Sequence, residues 1–145
     1  MNINDIKTMI KEDSLFIKDE VNMVDASLSV PELCGKYHQL IAEETMSLRL
    51  LKKDYDILYR DRWLFYSGKA DPEVYDEEEF NLKILKQDLD KFLNADELLN
   101  KEKDKIILQE TKINFLTEFV KSIMSVSYNV GNVIKLKKFL SGELG

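Results

Sequence analysis

The chain has 145 residues, of which 44% are hydrophobic and 33% charged, with only 5 glycines and 2 prolines. This length fits one domain, or one compact core with an arm, and the scarcity of helix-breaking residues predicts a mostly helical protein. The formal net charge of -6 excludes a protein that is basic over its whole surface, but it permits a local basic patch.

The cysteine count and the apolar pattern indicate a cellular location. Cys34 is the only cysteine, which excludes an intrachain disulfide and is typical of a reducing compartment. The first residues carry charges among their apolar side chains and do not resemble a signal peptide. No apolar run is long enough to span a bilayer. We therefore expect a soluble, cytoplasmic protein without a membrane partner.

Two helices are predicted in the first part of the chain. Residues 3–10 form a short amphipathic pattern with isoleucines on one face, and an apolar cluster follows at 15–17. The second helix is predicted to begin at Ser29, because its hydroxyl can accept a backbone N–H and Pro31 is tolerated in a first turn. This second helix is expected to run to about residue 66.

The long second helix carries one stripe of inward-facing positions. Successive members are three or four residues apart, which is the spacing of one helix face. They are Leu48, Leu51, Tyr55, Leu58, Arg62 and Phe65. A charge on this apolar stripe must be paired, placed at a subunit boundary or used for binding, so Arg62 is a candidate for one of these roles. Gly68 is predicted to end the helix.

An acidic segment follows at residues 71–79, with six acids and no base. Calcium loops need ligands at regular alternating positions and a turn glycine. Here only Asp71 and Glu73 alternate, and the run contains no glycine. We therefore favour a solvated acidic loop over a metal site, with docking of a partner as a third possibility.

The remaining pattern is helical. A helix is predicted over residues 77–93, since acids in its first turn complement the helix dipole. Its inward-facing residues are expected to be Phe80, Ile84 and Leu85. Asn94 is predicted to cap the next segment, with Glu97 at capping-box spacing. Residues 95–140 predict one or two helices with a broad apolar face and a break around 125–132. Such wide faces in a small chain favour self-association.

The residues offer little support for an enzyme. The sequence lacks a glycine-rich phosphate loop, an HExxH motif and a nucleophile elbow. Cys34 and His38 are four residues apart on a predicted helix, but a catalytic dyad also needs an orienting group and a pocket. We interpret them as a helical cysteine near a surface histidine, and we expect a non-enzymatic protein without metal or cofactor.

Residues 59–69, YRDRWLFYSGK, combine four aromatic and three cationic side chains. Cations neutralise phosphates and exposed bases stack on aromatic rings, so this composition suits binding of single-stranded nucleic acid. Arg49 and Lys53 lie within about 40° of Arg60 around the helix and extend the positive charge, although Asp56 shares that side and partly offsets them. An alternative stays open and is favoured by chemistry alone: Trp63, Phe65 and Tyr66 are core, and the arginines pair with Asp61 or the acidic loop.

The segment RDRWLFYSGK resembles the short motif of UvsY-type recombination mediator proteins of tailed phages, Lys-Ala-Arg-x-Asp-Tyr-Tyr-x-Gly-Arg. The matching positions are Arg60, Arg62, Phe65, Tyr66, Gly68 and Lys69. Leu64 stands where the motif has aspartate, and Asp61 replaces its alanine. The similarity continues in chain length, in the acids after the glycine, in LNADELLNK at 93–101 and in GNVIK at 131–135.

The resemblance implies a non-enzymatic protein that binds single-stranded DNA without base specificity. Such a protein helps a RecA-like recombinase to displace the single-stranded DNA-binding protein, so both are implied partners. By position, Arg60 and Arg62 become the leading DNA contacts, supported by Lys69 and Tyr66. Arg49 and Lys53 are further candidates. A ring of about six or seven copies would align these cations along one track, which lets a net-acidic chain bind DNA.

The resulting expectation is an all-α, elongated protomer with long amphipathic helices that assembles into a ring-like homo-oligomer. Residues 1–93 form an N-terminal helical region that carries the DNA-binding motif at 59–69 and the acidic loop at 71–79. Residues 94–145 form a C-terminal oligomerisation region. If the protein is phage-encoded, it acts in the host cell cytoplasm. The alternative function is an oligomeric helical adaptor or scaffold with no nucleic-acid role.

Overall fold

The computed structural model describes residues 1–18 and 23–142, and all regular elements within these ranges are helical. They are α1 (Ile3–Lys18), α2 (Met23–Tyr66), α3 (Pro72–Glu77), a 3-10 turn (Lys86–Asp88), α4 (Leu89–Asn94), α5 (Glu97–Met124) and α6 (Val126–Leu140). The all-α prediction is thereby confirmed for this part of the chain. Within the same residues, no helix is both long and apolar enough to cross a membrane.

The first helix, α1, is longer than the predicted segment over residues 3–10. Asn2 and Asp5 cap its start reciprocally. The Asp5 N–H donates to Oδ1 of Asn2 at 2.9 Å, and the Asn2 N–H donates to Oδ2 of Asp5 at 3.1 Å. Ile6 is fully buried, as its place on the apolar face predicts, whereas Leu15 is largely exposed.

The second helix, α2, begins at Met23, so the prediction of a start at Ser29 was wrong. Pro31 lies inside the helix, where it removes one N–H from the hydrogen-bond ladder. Val30 and Leu33, on either side of the proline, both pack against a buried core. Burial of apolar side chains on both sides of Pro31 therefore outweighs the local start signal.

The chain divides into two compact units. The first comprises residues 1–45 together with those from 111 onward, and the second comprises residues 46–110. The core of the first unit consists of Ile6, Tyr37, Leu116, Phe119, Val120 and Ile123. Its Tyr37 hydroxyl donates to Oδ2 of Asp13 at 2.6 Å, which satisfies the polar end of a fully buried ring. The predicted division into a DNA-binding region, residues 1–93, and an oligomerisation region, residues 94–145, concerns function and stays a prediction.

The second unit contains the predicted stripe of α2. All six stripe positions are buried or half-buried, and every off-stripe residue between Leu48 and Arg62 is exposed. The predicted inward face is therefore confirmed. The core of this unit consists of Leu89, Leu93 and Leu99, with Tyr55, Leu58, Trp63 and Tyr66 packed against it.

The helix predicted over residues 77–93 was wrong. After α3 the chain has no regular helix over residues 78–85, and the 3-10 turn then leads into α4. Phe80 lies in an aromatic cluster, with its ring centroid 5.2 Å from that of Phe65. Leu85, predicted to face inward, is 63% exposed. Residues 78–85 therefore follow an irregular path, in which the Phe80 ring packs against Phe65, and do not form the regular helix that the local pattern predicts.

The start of α5 also differs from the prediction. Asp96, and not Asn94, caps the helix, because the Leu99 N–H donates to Oδ1 of Asp96 at 2.9 Å. Asn94 instead ends α4. Its carbonyl accepts a hydrogen bond from the Asn100 side chain at 3.1 Å.

The predicted break in the last third of the chain is confirmed. α5 ends at Met124 and α6 begins at Val126, with Ser125 between them. The Ser125 hydroxyl donates to the Ser122 carbonyl at 2.7 Å, which satisfies one acceptor at the end of α5. Gly131 lies within α6 and does not interrupt it.

Candidate nucleic-acid interface

The candidate segment, residues 59–69, covers the last turns of α2 and the residues that end the helix. Gly68 has a φ of 75°, a left-handed conformation that glycine adopts without a steric penalty. Its N–H donates to the Phe65 carbonyl at 3.2 Å, and the Lys69 N–H donates to the Leu64 carbonyl at 2.9 Å. These two bonds form a Schellman motif. Gly68 therefore ends the helix as predicted and sets the direction in which Lys69 leaves it.

Tyr75 of α3 holds the chain that follows Gly68. Its hydroxyl donates to the Phe65 carbonyl at 2.8 Å and accepts the Ala70 N–H at 3.3 Å. Its ring stacks on that of Phe65, with centroids 5.3 Å apart and an interplanar angle of 19°. The acidic segment at 71–79 is exposed as predicted, apart from the half-buried Tyr75, but it is partly helical.

Arg62 lies at the centre of the segment, and its side chain is only 9% exposed. Its Nε donates to Oδ2 of Asp96 at 2.7 Å. Its Nη1 and Nη2 donate to the two carboxylate oxygens of Glu78 at 2.9 and 3.2 Å. Bidentate pairs of this kind are among the stronger ionic contacts in proteins. The charge on the apolar stripe is therefore paired on two sides.

Two aromatic rings complete the surroundings of Arg62. Its guanidinium carbon lies 4.3 Å from the ring centroid of Phe65 and 5.1 Å from that of Tyr66. Cation–π attraction adds to the ion pairs at such distances. The Tyr66 hydroxyl donates to Oδ2 of Asp96 at 2.6 Å. Arg62 and Tyr66 therefore share one buried acceptor.

The pKa values in this network shift in the directions that the contacts predict. Burial alone would raise the pKa of Asp96, but hydrogen bonds from Tyr66, the Leu99 N–H and Arg62 outweigh it and hold that pKa below its ordinary value. Burial alone would lower the pKa of Arg62, whereas its bonds to Glu78, Tyr66 and Asp96 raise it. The network is thus stable as a set of charged groups at neutral pH.

Arg60 lies in a different environment from Arg62. Residues two positions apart on a helix are separated by about 200° around its axis. Arg60 and Arg62 therefore project from nearly opposite sides of α2. The Arg60 side chain is 67% exposed, and its Nη2 lies 3.2 Å from Oδ1 of Asp61, whose side chain is also exposed. An exposed pair of this kind contributes little energy. The Arg60 guanidinium is accordingly open to competing anions.

The other predicted cations are also at the surface. Arg49 and Lys53 are exposed on α2 and border a shallow groove, together with Met46, Leu50, Lys52 and Asp56. Lys69 is exposed, and its Nζ lies 5.2 Å from the Trp63 ring centroid. Lys69 and Arg62 also line one cleft of about 400 Å³ next to Asp61 and Asp71. The six candidates therefore form two groups. Arg49, Lys53 and Arg60 are exposed on α2, whereas Arg62, Tyr66 and Lys69 lie around the helix end.

Of the two carboxylates that hold Arg62, sequence reasoning missed Asp96. Glu78 belongs to the acidic loop at 71–79, which was an open alternative as a partner of the arginines. Asp96 and Glu78 lie 34 and 16 residues further along the chain, beyond the reach of any helical spacing rule. One local signal did exist for Asp96, because an acid directly before an apolar periodic run is a typical N-cap. Its pairing with Arg62 had no such signal.

The remaining candidates show no assembled chemistry. Cys34 is half-buried against the core of the first unit, and His38 is exposed. Among the described residues, no group of three or more His, Cys, Asp or Glu side chains is placed to hold a metal ion.

The described residues combine an all-helical fold with exposed cations along α2 and an ordered cationic–aromatic helix end. The chain belongs to the UvsY family, described as recombination, repair and single-stranded-DNA-binding protein UvsY, whose sequence model matches residues 9–143. The family resemblance of the sequence is thereby confirmed. A sequence comparison with individual curated proteins finds no match.

Two crystal structures of the bacteriophage T4 recombination mediator protein UvsY have a similar fold. The first, in lattice type IV, has a TM-score of 0.81 at 16% identity over 96% of this chain and 99% of that chain. The second, in lattice type I, has a TM-score of 0.79 at 16% identity over 93% and 98% of the two chains. At 16% sequence identity, this similarity shows a shared fold alone, and it extends over nearly the full length of both chains.

Proposed function

We propose that this protein is a recombination mediator. It binds single-stranded DNA without base specificity and promotes loading of a RecA-like recombinase in place of the single-stranded DNA-binding protein. Membership of the UvsY family over residues 9–143 supports the recombination role. The observation that carries DNA binding is the exposure of Arg49, Lys53 and Arg60 along α2.

These three cations suit a phosphate backbone. Arg49 and Arg60 are about 16 Å apart along the helix axis at 1.5 Å per residue, with Lys53 between them. Phosphate contacts carry no base information, so a row of cations predicts binding without sequence preference. Asp61 is the paired neighbour of Arg60 and is itself 54% exposed, so a phosphate can replace it at small energetic cost.

Arg62, Tyr66 and Lys69 contribute to the same function from the helix end. The hydrogen bonds of Arg62 and Tyr66 to Asp96 hold the end of α2 against the start of α5. In the DNA-free protein both side chains therefore act as positioning residues. Lys69 leaves the helix at the Schellman motif and adds a cation to the cleft that Arg62 lines. Direct contact of Arg62 with DNA stays a prediction.

Assembly into a ring-like homo-oligomer is the second part of the proposal. Among the α6 side chains that the structure describes, five are apolar and more than 40% exposed: Tyr128, Ile134, Leu136, Phe139 and Leu140. Apolar surface of this extent on one helix is typical of an interface. Copies joined through α6 would present their cations together, so weak contacts of single protomers would add up along one DNA strand.

DNA binding is tested by replacing two exposed cations, Lys53→Ala with Arg60→Ala. The matched control is Lys91→Ala with Lys101→Ala, which removes the same charge from exposed positions elsewhere in the second unit. A fluorescent oligothymidylate is titrated at several salt concentrations. We expect the slope of log affinity against log salt to fall by about 1.4 for the first pair, at about 0.7 per phosphate contact, and to change less for the control.

Equal behaviour of the two double variants would contradict the DNA-binding proposal and favour the adaptor alternative. Recombinase loading is a separate measurement. Single-stranded DNA is first coated with the single-stranded DNA-binding protein, and the rate of recombinase filament formation is then followed. The protein should accelerate this step, and the Lys53/Arg60 variant should do so less. Absence of acceleration by the unaltered protein would refute the mediator role.

A further inference from the structure

The two edges of the Arg62 guanidinium have partners of very different accessibility. The Nε edge faces Asp96, whose side chain is 2% exposed. The Nη1 and Nη2 edge faces Glu78, whose side chain is 55% exposed. One partner is therefore locked in the core of the second unit, while the other lies at its surface. Only the second can exchange with a molecule from solution.

The position of Glu78 in the chain also permits exchange. Glu78 follows the last residue of α3 and has an extended backbone conformation, with φ of -132° and ψ of 105°. Its N–H donates to the Val74 carbonyl at 3.1 Å, so its backbone is held while its side chain carries the contact. Rotation about the side-chain bonds of Glu78 would therefore release Arg62 without unfolding α3.

A phosphodiester has the chemistry to take the place of the Glu78 carboxylate. Each presents two oxygens to the paired N–H groups of an arginine, and each carries one negative charge. Arg62, Asp96 and Glu78 together carry a net charge of -1. Exchange of the carboxylate for a phosphate keeps the net charge at -1, whereas addition of a phosphate to the intact network would make it -2. Electrostatics therefore favours exchange over addition.

We propose that Glu78 is an intramolecular competitor of single-stranded DNA, and that its carboxylate occupies the edge of Arg62 that a DNA phosphate takes on binding. This inference rests on the proposed DNA-binding function and names a regulation of the same site. Asp96 stays in place, since its other oxygen caps α5 through Leu99. The guanidinium is thus oriented before DNA arrives, which lowers the entropy cost of the contact.

Lys69 adds a second cation to the approach. It lines the same cleft as Arg62, and its exposed amine lies over Trp63. A strand that reaches Arg62 through this cleft also meets Lys69. Asp61 and Asp71 line the cleft as well and would repel phosphate. Release of the Glu78 carboxylate would leave the charge of Arg62 less neutralised, which favours a phosphate near Arg62 and Lys69 over repulsion by the two aspartates.

The test compares Glu78→Gln with Glu79→Gln. Both substitutions remove one charge from neighbouring exposed residues, but only the first removes the carboxylate that bonds Arg62. Binding of a fluorescent oligothymidylate is measured at fixed salt. We expect Glu78→Gln to raise affinity roughly threefold to tenfold beyond Glu79→Gln, the range of a partly exposed charge-assisted contact. In an Arg62→Lys background, which keeps the charge but loses the fork, this extra gain should vanish.

Side-chain NMR of the unaltered protein gives a readout that does not depend on the folding of any variant. Binding of the oligothymidylate should shift the carboxyl carbon signal of Glu78, because this carboxylate leaves Arg62 while the backbone of Glu78 stays in place. If the Glu78 carboxyl signal does not move, or if the two glutamine variants bind alike, the competitor inference is overturned while DNA binding stands. If the unaltered protein does not bind the oligonucleotide, the proposed function itself fails.

Discussion

Nε of Arg62 lies 2.7 Å from Oδ2 of Asp96, a residue 34 positions later in the chain. The same carboxylate caps α5 through its other oxygen, which accepts the Leu99 N–H at 2.9 Å. One buried side chain therefore joins the end of α2 to the start of α5. The helix end that carries the cationic–aromatic segment depends on this joint for its position.

The first prediction concerns the stability that Asp96 supplies. Asp96→Ala removes both the ion pair and the cap, and it should lower the free energy of unfolding by about 3–5 kcal/mol. Asp96→Asn keeps a good capping side chain, so its loss of stability should be about 1 kcal/mol smaller than that of Asp96→Ala. Urea unfolding at pH 7 measures both, with Asp104→Asn as an exposed control. If Asp96→Asn is as stable as the parent protein, the Arg62–Asp96 ion pair does not stabilise the fold.

The second prediction concerns acid sensitivity. The pKa of Asp96 is lower in the folded protein than in the unfolded chain. Its contribution is therefore fully present above the unfolded value of about 3.9 and is lost as the pH falls through the lower folded value. In urea unfolding followed from neutral to acid pH, Asp96→Asn should flatten the decline below about pH 4. Parallel curves for the two proteins would show that other carboxylates cause the decline.

The third prediction separates two glycines by their backbone conformation. An added Cβ meets nothing within 4 Å at either Gly68 or Gly35, so only backbone effects differ. Gly68→Ala should lower stability by about 1 kcal/mol, because φ is 75° there. Gly35→Ala, inside α2, should raise it by up to about 1 kcal/mol. Thermal unfolding of both variants checks this, and a shift of the same sign in both would contradict it.

The fourth prediction concerns assembly through α6. Leu136 and Phe139 are 57% and 66% exposed. If they form contacts between copies, Leu136→Glu with Phe139→Glu should convert the oligomer to smaller species, since two buried charges are costly at an apolar interface. Sedimentation velocity measures the size. Asn132→Glu adds a charge at an exposed polar position of α6 and should leave the size unchanged. An oligomer of undiminished size in the double variant would refute this interface.

Several features of this protein were determined by local sequence alone. The alternating steps of three and four from Leu48 to Phe65 identified the inward face of α2, and they placed Arg62 on that face. Gly68 ended the helix because only a residue without a side chain adopts its φ at no steric penalty. The break at Ser125 was also visible as a run of weak helix formers. Each of these depends on interactions between near neighbours, which spacing and residue type reveal.

Only the tertiary structure decided what Arg62 contacts and where the helices between residues 70 and 97 begin and end. Its partners Asp96 and Glu78 are distant in sequence, and nothing in a one-dimensional pattern brings those carboxylates to one guanidinium. The local signals at 77–93 favoured a helix, but the chain takes an irregular path over residues 78–85, where Phe80 packs on Phe65. Packing and ion pairing between distant segments outweigh helix propensity of a few tenths of a kcal/mol per residue.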